Sequence, residues 1–335
     1  MQIGVNVPNF GPGTDPGVLR SWARTVEGLG YDLLMVSDHV AITPDVAERY
    51  PAPFYEPFTT LSWLAGITSR VRLGTTVLLM PYRHPLLVAR MAANLHQLSG
   101  GRLVLGVGVG WARQEFEALG VRFDRRGRLT DEHLLALRAA WADEDDYAAG
   151  RVPIWVGGNS DAALRRTVRL GDAWHPLRFT LDWFRAAVDR LRAVAAEERR
   201  PVPALAPRIT LRLTEEPVTA PDRGAGEGTI DQVVDDLGHL RGFGVETVVL
   251  DPYQGDPAET LRPEVAWGML EAVAARLVPA RDRGSAEGRG SVAGRKPGAD
   301  RESPASRGSG TDRESPADRE AVADRVSAAR GADRT

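Results

Sequence analysis

Short apolar runs rich in β-branched residues alternate along the chain with longer stretches whose apolar positions recur at helical spacing. The runs are Ile3 to Val7, Leu33 to Val36, Val71 to Leu79, Leu103 to Val109, Ile154 to Val156, Ala173 to His175, Ile209 to Leu213 and Thr247 to Leu250. Near-continuous apolar runs bounded by turn residues are what strands covered on both faces look like. The stretches between them have readable starts: Asp15-Pro16 before Val18 to Leu29, Pro57 before Leu61 to Ile67, Pro85 before Leu86 to Leu98, and Thr130-Asp131-Glu132 before Leu134 to Trp141. Ser160, Thr180 and Thr229 open three more, and Gly30, Gly100-Gly101, Gly171 and Gly244 stand where a helix must turn back into a strand. Caps and first-turn prolines at these positions fix helix N-termini, and glycine suits the turn after a helix.

Eight strand-helix units in one run predict a (β/α)8 TIM barrel of the α/β class, whose site would lie at the C-terminal strand ends; a doubly wound open sheet is the alternative. The segment Ala112 to Gly150 is longer than a plain crossover. An insertion after the fourth strand is therefore expected, in the position of a lid or binding loop. The pattern stops after about Leu277. From Arg281 to Thr335 there is no Leu, Ile, Met or aromatic residue, and DRESPA occurs at Asp300 to Ala305 and again at Asp312 to Ala317. Such a segment cannot bury enough apolar surface to offset its ordering entropy. The expected organisation is a barrel over residues 1–279 and a disordered low-complexity tail over 280–335, a slippage product or an interaction tail.

Composition narrows the function classes. The chain has 335 residues, 43% of them hydrophobic, and a formal net charge of -3. That is enough apolar material for a sizeable core and no global basic field for nucleic acid. Zero cysteines exclude a disulfide framework, a thiolate zinc site and a cysteine nucleophile. The start, MQIGVNVPNF, enters a strand pattern directly, and no apolar stretch reaches the length of a membrane helix. A soluble cytoplasmic protein with a small-molecule substrate, and with neither membrane nor nucleic acid as partner, is the expectation.

Four places carry candidate chemistry. In LVLGVGVGW, Gly106, Gly108 and Gly110 fall at every second position, which is strand register rather than the spacing of a dinucleotide fingerprint. A barrel wall emptied of alternate side chains has made room for something beside it. The second strand runs into Ser37-Asp38-His39, where His39 can exchange a proton near neutral pH and Asp38 can orient it or bind a ligand; a loop cap and a solvated histidine are the plainer reading. The third strand, ending Thr75-Thr76-Val77-Leu78-Leu79-Met80-Pro81, would overrun its neighbours unless it bends or bulges toward the barrel axis, a plain buried strand being the simpler reading. Val156-Gly157-Gly158-Asn159-Ser160 leads into a helix carrying Arg165, Arg166 and Arg169, the form of a phosphate site or of a simple turn. Histidines do not cluster with carboxylates at metal spacing, and HExxH, GxSxG and GxxxxGK[ST] are absent.

Taken in order, VSDH, VRLGTTVLLMPYRHP, GGRLVLGVGVGWARQEFEALG and IWVGGNSDAALRRTVRLGDAWHP resemble the luciferase-like monooxygenase superfamily, and GVGVGW-x3-EF resembles its coenzyme F420-dependent branch. The resemblance runs from Met1 to about Leu277 and implies a (β/α)8 barrel. It also implies a non-prolyl cis peptide between Thr76 and Val77 in a bulge that supports the cofactor ring. Asp38 matches a ring or side-chain contact and His39 a proposed acid/base; Gly108, Val109 and Gly110 match backbone beside the cofactor, and Gly157, Gly158, Asn159 and Ser160 the loop holding the phosphate of its tail. The sugar-phosphate dehydrogenases of the family carry a glutamate where this chain has Trp111 and a tryptophan where it has Thr43, and they use lysines to hold the sugar phosphate, whereas Lys296 is the sole lysine here. Oxidation of a sugar phosphate is therefore not expected. The implied activity is hydride transfer between C5 of the deazaflavin and a small organic substrate, in the direction of reduction. An FMN-dependent monooxygenase and a non-catalytic deazaflavin-binding protein are the alternatives. Dimers are common in the family, so the resemblance allows a homodimer, while the residues themselves leave the oligomeric state open.

Overall fold

The computed structural model describes residues 1–142, 147 and 152–277; the low-complexity segment expected at 280–335 lies outside them. The strands in chain order are β1 (Gln2–Val7), β2 (Leu33–Val36), β3 (Arg72–Thr75), β4 (Leu78–Leu79), β5 (Leu103–Gly108), β6 (Ile154–Gly157), β7 (Ala173–His175), β8 (Ala204–Leu205), β9 (Arg208–Thr210), β10 (Arg212–Leu213), β11 (Glu227–Gly228) and β12 (Thr247–Asp251). All the pairings are parallel, in the order β8-β7-β6-β5-β3-β2-β1-β12-β9, with β4 continuing β3 alongside β5. The two ends of that order, β8 and β9, are halves of one stretch of chain. Ala206 N donates to Trp174 O (2.9 Å), Arg208 N to Pro176 O (2.8 Å) and Val249 N to Pro207 O (2.8 Å), so the sheet closes on itself as a (β/α)8 barrel.

Two strands depart from the pattern read in the sequence. The third is broken: it stops at Thr75 and resumes at Leu78. The seventh starts five residues earlier than Ile209, because Ala204–Leu205 pairs with β7 before the break at Pro207, which has no amide to donate. Its expected end, Leu213, pairs instead with Gly228 in a separate two-stranded piece.

Helices return the chain on the outside, and their caps are those the sequence marked. Asp15 accepts from Val18 N (2.7 Å) at the start of Pro16–Gly28, and Thr229 and Gln232 form a reciprocal capping box on Ile230–Gly242. After β5 the chain adds helix Arg113–Ala118 and a long helix, Arg126–Trp141, that begins a turn before the Thr130 start expected. This insertion is tied back to the barrel where His133 Nδ1 lies 2.9 Å from Met80 O and Trp141 Nε1 donates to Ala89 O (3.1 Å).

Strand alternation sorts the core into two clusters. Val5, Leu34, Val36, Leu73, Leu105, Val107, Ile154, Val248 and Leu250 face the helices, while Leu33, Met35, Val104, Trp155, Ala173, Ala206 and Val249 fill the lumen. Burying each Val, Leu, Ile or Met side chain among them contributes roughly 1.5 to 3 kcal/mol. The lumen is thus plugged at this level, and any site must lie above it, toward the C-terminal strand ends.

Candidate active site

Two residues above the apolar plug, the same lumen-facing registers turn polar. Asn6 follows Gly4, His175 follows Ala173, Arg208 follows Ala206 and Asp251 follows Val249, and all four are buried. They form one chain of hydrogen bonds across the barrel. Asn6 Nδ2 donates to Asp251 Oδ1 (2.9 Å), and Arg208 donates to Asp251 Oδ2 through Nε (2.9 Å) and Nη2 (2.6 Å). Arg208 Nη1 donates to Thr76 O (3.0 Å) and to Thr76 Oγ1 (3.2 Å), and Thr76 Oγ1 stands 2.8 Å from His175 Nε2. His175 Nδ1 lies 2.5 Å from Ala206 O; a carbonyl only accepts, so Nδ1 carries the proton and Nε2 accepts from the Thr76 hydroxyl. Burial pushes the His175 pKa down to about 4, with the nearby Arg208 charge acting in the same direction and the bond to Ala206 opposing. The ring is neutral at pH 7, as this pattern of bonds requires.

This network grips the break in the third strand. The Thr76-Val77 peptide is cis, its carbonyl is the one Arg208 holds, and the amide of Thr76 still pairs with Val36 O (2.8 Å). The spaced glycines of β5 make room for this same break. A Cβ on Gly106 would stand 2.0 Å from Thr75 O, one on Gly108 2.5 Å from Val77 Cγ2, and one on Gly157 3.0 Å from Val77 Cγ1. The space emptied on the strand is therefore taken first by the neighbouring strand, which corrects the simple picture of a bare wall. Gly110 has φ +81 and a Cβ there would meet Phe116 at 2.8 Å; only glycine takes that conformation readily. Gly108 is buried, while Val109 and Gly110 are half-buried at the rim.

At the end of β2 the two polar residues part company. Asp38 is buried and both its oxygens are engaged: Arg83 donates to it through Nη1 (2.7 Å) and Nη2 (2.9 Å), and Leu79 N donates to Oδ2 (2.8 Å). Arg83 also reaches Glu56 Oε1 (3.1 Å). Burial alone would lower the Arg83 pKa, but the hydrogen bond and charge of Asp38, with Glu56, raise it. Asp38 thus locks the chain just after the strand-3 break. His39 turns the other way, with Nδ1 2.7 Å from Oε2 of Glu115, a carboxylate buried in helix Arg113–Ala118. Tyr50 stacks on the imidazole (5.3 Å between centroids, 26° between planes), and Phe54 and Trp111 meet it edge-on at 5.6 and 5.7 Å. Phe10 and Tyr253 extend this aromatic wall, and Trp111 is 48% exposed at its outer edge.

The fifth-strand loop stands on the opposite side of β5. Gly158 has φ +119 and its carbonyl accepts from Trp174 Nε1 (2.9 Å). Asn159 spans the gap to the next strand end through Leu177 O (2.8 Å) and Leu177 N (3.2 Å), and Ser160 caps helix Asp161–Leu170 by accepting from Ala163 N. Among the described residues no acceptor is paired with the amides of Asn159 and Ser160. Free amides at a helix N-terminus are where an anion is favoured. The arginines of that helix serve elsewhere: Arg166 pairs with Asp131 (2.5 Å), Arg169 with Glu198 (2.6 Å) and Arg165 with Glu197 (3.3 Å). Among the described residues no group of three His, Asp or Glu could hold a metal ion, and no helix is long and apolar enough to cross a membrane.

The family model for luciferase-like monooxygenases matches residues 1–223. The chain belongs to that family. A relative in Mycobacterium tuberculosis, an uncharacterized protein, is 32% identical over an alignment of 180 residues, covering 45% of this chain and 62% of that one. The chain thus spans about three fifths of the length of that relative. The phthiodiolone/phenolphthiodiolone dimycocerosates ketoreductase of Mycobacterium bovis is 29% identical over 259 residues, covering 67% of this chain and 66% of that one. Among solved structures, the coenzyme F420-dependent tetrahydromethanopterin reductase of Methanopyrus kandleri superposes with a TM-score of 0.63 at 16% identity, over 83% of this chain and 98% of the other. The oxygenating constituent of 3,6-diketocamphane monooxygenase from Pseudomonas putida, in complex with FMN, gives 0.65 at 16% over the same shares. At such identities the likeness is one of fold, a luciferase-like TIM barrel.

Of the residues marked in the sequence, Asp38, His39, Thr76, Val77, Gly108, Val109 and Gly110 come together at the C-terminal ends of strands two to four, with Gly157 against Val77. Asn159 and Ser160 form the exposed end of the same face. Sequence reasoning passed over Glu115, Arg83, Asn6, His175, Arg208 and Asp251. Four of these carried a signal, since Asn6, His175, Arg208 and Asp251 are polar side chains within or at the end of otherwise apolar strands. Glu115 stood in the sequence only as the glutamate of GVGVGW-x3-EF and Arg83 only within VRLGTTVLLMPYRHP, neither with a role, because only folding brings them to His39 and Asp38.

Proposed function

We propose that this luciferase-like chain is an oxidoreductase that binds coenzyme F420 and transfers a hydride between C5 of the deazaflavin and a small organic substrate, in the direction of substrate reduction. The observation that carries the reading is the Thr76-Val77 break at the barrel mouth, braced by Arg208 from below, flanked by Gly108 and Gly157, with His39 held on one side and unpaired loop amides on the other. These residues fit such a cofactor. Val77 offers a rigid ridge for a flat ring, and the amides of Asn159 and Ser160 suit an anionic tail. Asp38 would act by holding Leu79 and Arg83 rather than by touching the ring, as both its oxygens are engaged.

When bound, the deazaflavin supplies the hydride chemistry. The chain supplies position, dryness and a proton. Phe10, Tyr50, Phe54, Trp111 and Tyr253 would exclude water from the mouth and favour an uncharged, apolar substrate. His39 would give a proton to the substrate oxygen as the hydride arrives. The ketoreductase relative and the coenzyme F420-dependent reductase neighbour support the direction. The FMN complex of the diketocamphane monooxygenase supports a second reading, an FMN-dependent monooxygenase on the same barrel.

Titration of the purified protein with coenzyme F420 and with FMN, followed by turnover of reduced cofactor with a panel of ketones and enones, tests the proposal. Binding of coenzyme F420 with turnover of at least one acceptor is expected. Tight binding of FMN with none of coenzyme F420 would overturn it in favour of the monooxygenase, and binding of coenzyme F420 without turnover across a broad panel would favour a non-catalytic binding protein.

A further inference from the structure

Glu115 has no exposed surface, yet its two oxygens meet four partners. Oε1 accepts from Val40 N (2.6 Å) and Ala41 N (3.2 Å), while Oε2 accepts from the Tyr82 hydroxyl (3.0 Å) and lies 2.7 Å from His39 Nδ1. Burial, and then the charge of Glu115, push the Tyr82 pKa up, so the phenol keeps its proton and acts as a donor. The carboxylate presents only acceptor positions to the imidazole. The proton on that side of the ring therefore belongs on Nδ1. Ring orientation is fixed at the same time, because Tyr50 sets the plane by stacking and Glu115 sets the rotation within it. Among the described residues nothing pairs with His39 Nε2.

We infer that Glu115 is a positioning residue for His39: it holds the imidazole with its proton on Nδ1 and leaves Nε2 as the nitrogen that takes up a proton from solvent and passes it to substrate. The role of Nε2 in turnover rests on the proposed function; the tautomer does not. A buried carboxylate that fixes a histidine in this way controls which nitrogen faces the reaction, a role whose loss in other enzymes costs orders of magnitude in rate with the geometry intact.

Glu115→Gln inverts the arrangement with little change of shape. The amides of Val40 and Ala41 can only donate, so they select the orientation in which the glutamine oxygen keeps the Oε1 place. Its NH2 then faces His39, which must accept at Nδ1 and carry its proton on Nε2. The experiment uses full-length protein with 15N-labelled histidine, the His39 ring among the six being assigned by its loss in His39→Gln. At pH 8 the wild-type ring is expected to show a protonated Nδ1 and a bare Nε2. The opposite tautomer in the wild type overturns the inference, and this measurement needs no variant, cofactor or substrate. In Glu115→Gln the proton should move to Nε2, kcat should fall at least about tenfold and the dissociation constant for coenzyme F420 should stay within about threefold. A variant that keeps the proton on Nδ1, or one that turns over within about twofold of wild type, overturns it equally. A protein that fails to bind or turn over coenzyme F420 at all would remove the proposed function, while the wild-type tautomer still decides the role of Glu115.

Discussion

The Cβ that Gly106 lacks would stand 2.0 Å from the carbonyl oxygen of Thr75. The obstacle is backbone, and it is backbone that Thr75 Oγ1 also ties to Gly106 O by a 2.7 Å hydrogen bond, so it has little freedom to retreat. Gly106→Ala should therefore cost about 3 kcal/mol or more, at the upper end of overpacking penalties. Urea unfolding measures it against Gly66→Ala, where the new Cβ meets Trp63 O at an ordinary 3.5 Å and a change within about 0.5 kcal/mol is expected. Equal stability of the two variants would show that strand three does not press on strand four as described.

Arg208 joins the buried charge of Asp251 to the carbonyl of Thr76. Arg208→Met leaves that carboxylate buried without its partner, which should destabilise by about 3 to 5 kcal/mol. Because the bond to Thr76 O is lost as well, cofactor affinity in the folded protein should also drop. Arg208→Met combined with Asp251→Leu should recover part of the stability, since the uncompensated charge is gone, but none of the affinity. Urea melts and cofactor titrations of the three proteins separate the two effects.

His175 gives the fold a pH dependence whose sign follows from its burial. Its pKa is about 4 in the folded barrel against an ordinary 6.5, so the unfolded chain binds the extra proton first as pH falls. The stabilisation is full above pH 6.5 and is lost progressively as pH drops toward 4, amounting to about 3 kcal/mol for one such group. His175→Gln should flatten the dependence of unfolding free energy on pH in that window. A slope unchanged from wild type between pH 6.5 and 4 would assign it to other groups.

Asp38 and Arg83 make a second ion pair near the mouth, with the carboxylate buried and the guanidinium half-buried. Arg83→Met should destabilise by about 3 kcal/mol, since Asp38 then keeps only the amide of Leu79. His39→Ala, a few residues away in space, should do the reverse: turnover down by about a hundredfold with cofactor affinity nearly unchanged. A turnover rate equal to wild type would remove His39 from the proton-transfer role.

Much of the barrel was legible in the chain. All eight apolar runs correspond to strands, and Asp15, Ser160, Thr180 and Thr229 cap the helices they precede. The seventh strand was misplaced toward Leu213 because Pro207 hides its first half from a search for continuous runs. In the site, Asp38 and His39 stood out as adjacent polar residues at a strand end, but nothing local says that one is tied to Arg83 and the other to Glu115.

What the sequence determined by itself is periodic and local: which stretches are strands, which are helices, where most of them begin, and that the fourth strand had to be free of side chains at Gly106 and Gly108. What filled that space was decided by tertiary structure. Closure of the barrel brings Thr75, Thr76 and Val77 against those glycines, Arg208 and Asp251 beneath them, and Glu115 against His39 from 76 positions away. Apolar periodicity records only whether a residue faces the core or the solvent. Pairing a buried donor with its acceptor depends on distances that exist only once the sheet has closed, which is why the framework could be read from the chain and the polar wiring of the mouth could not.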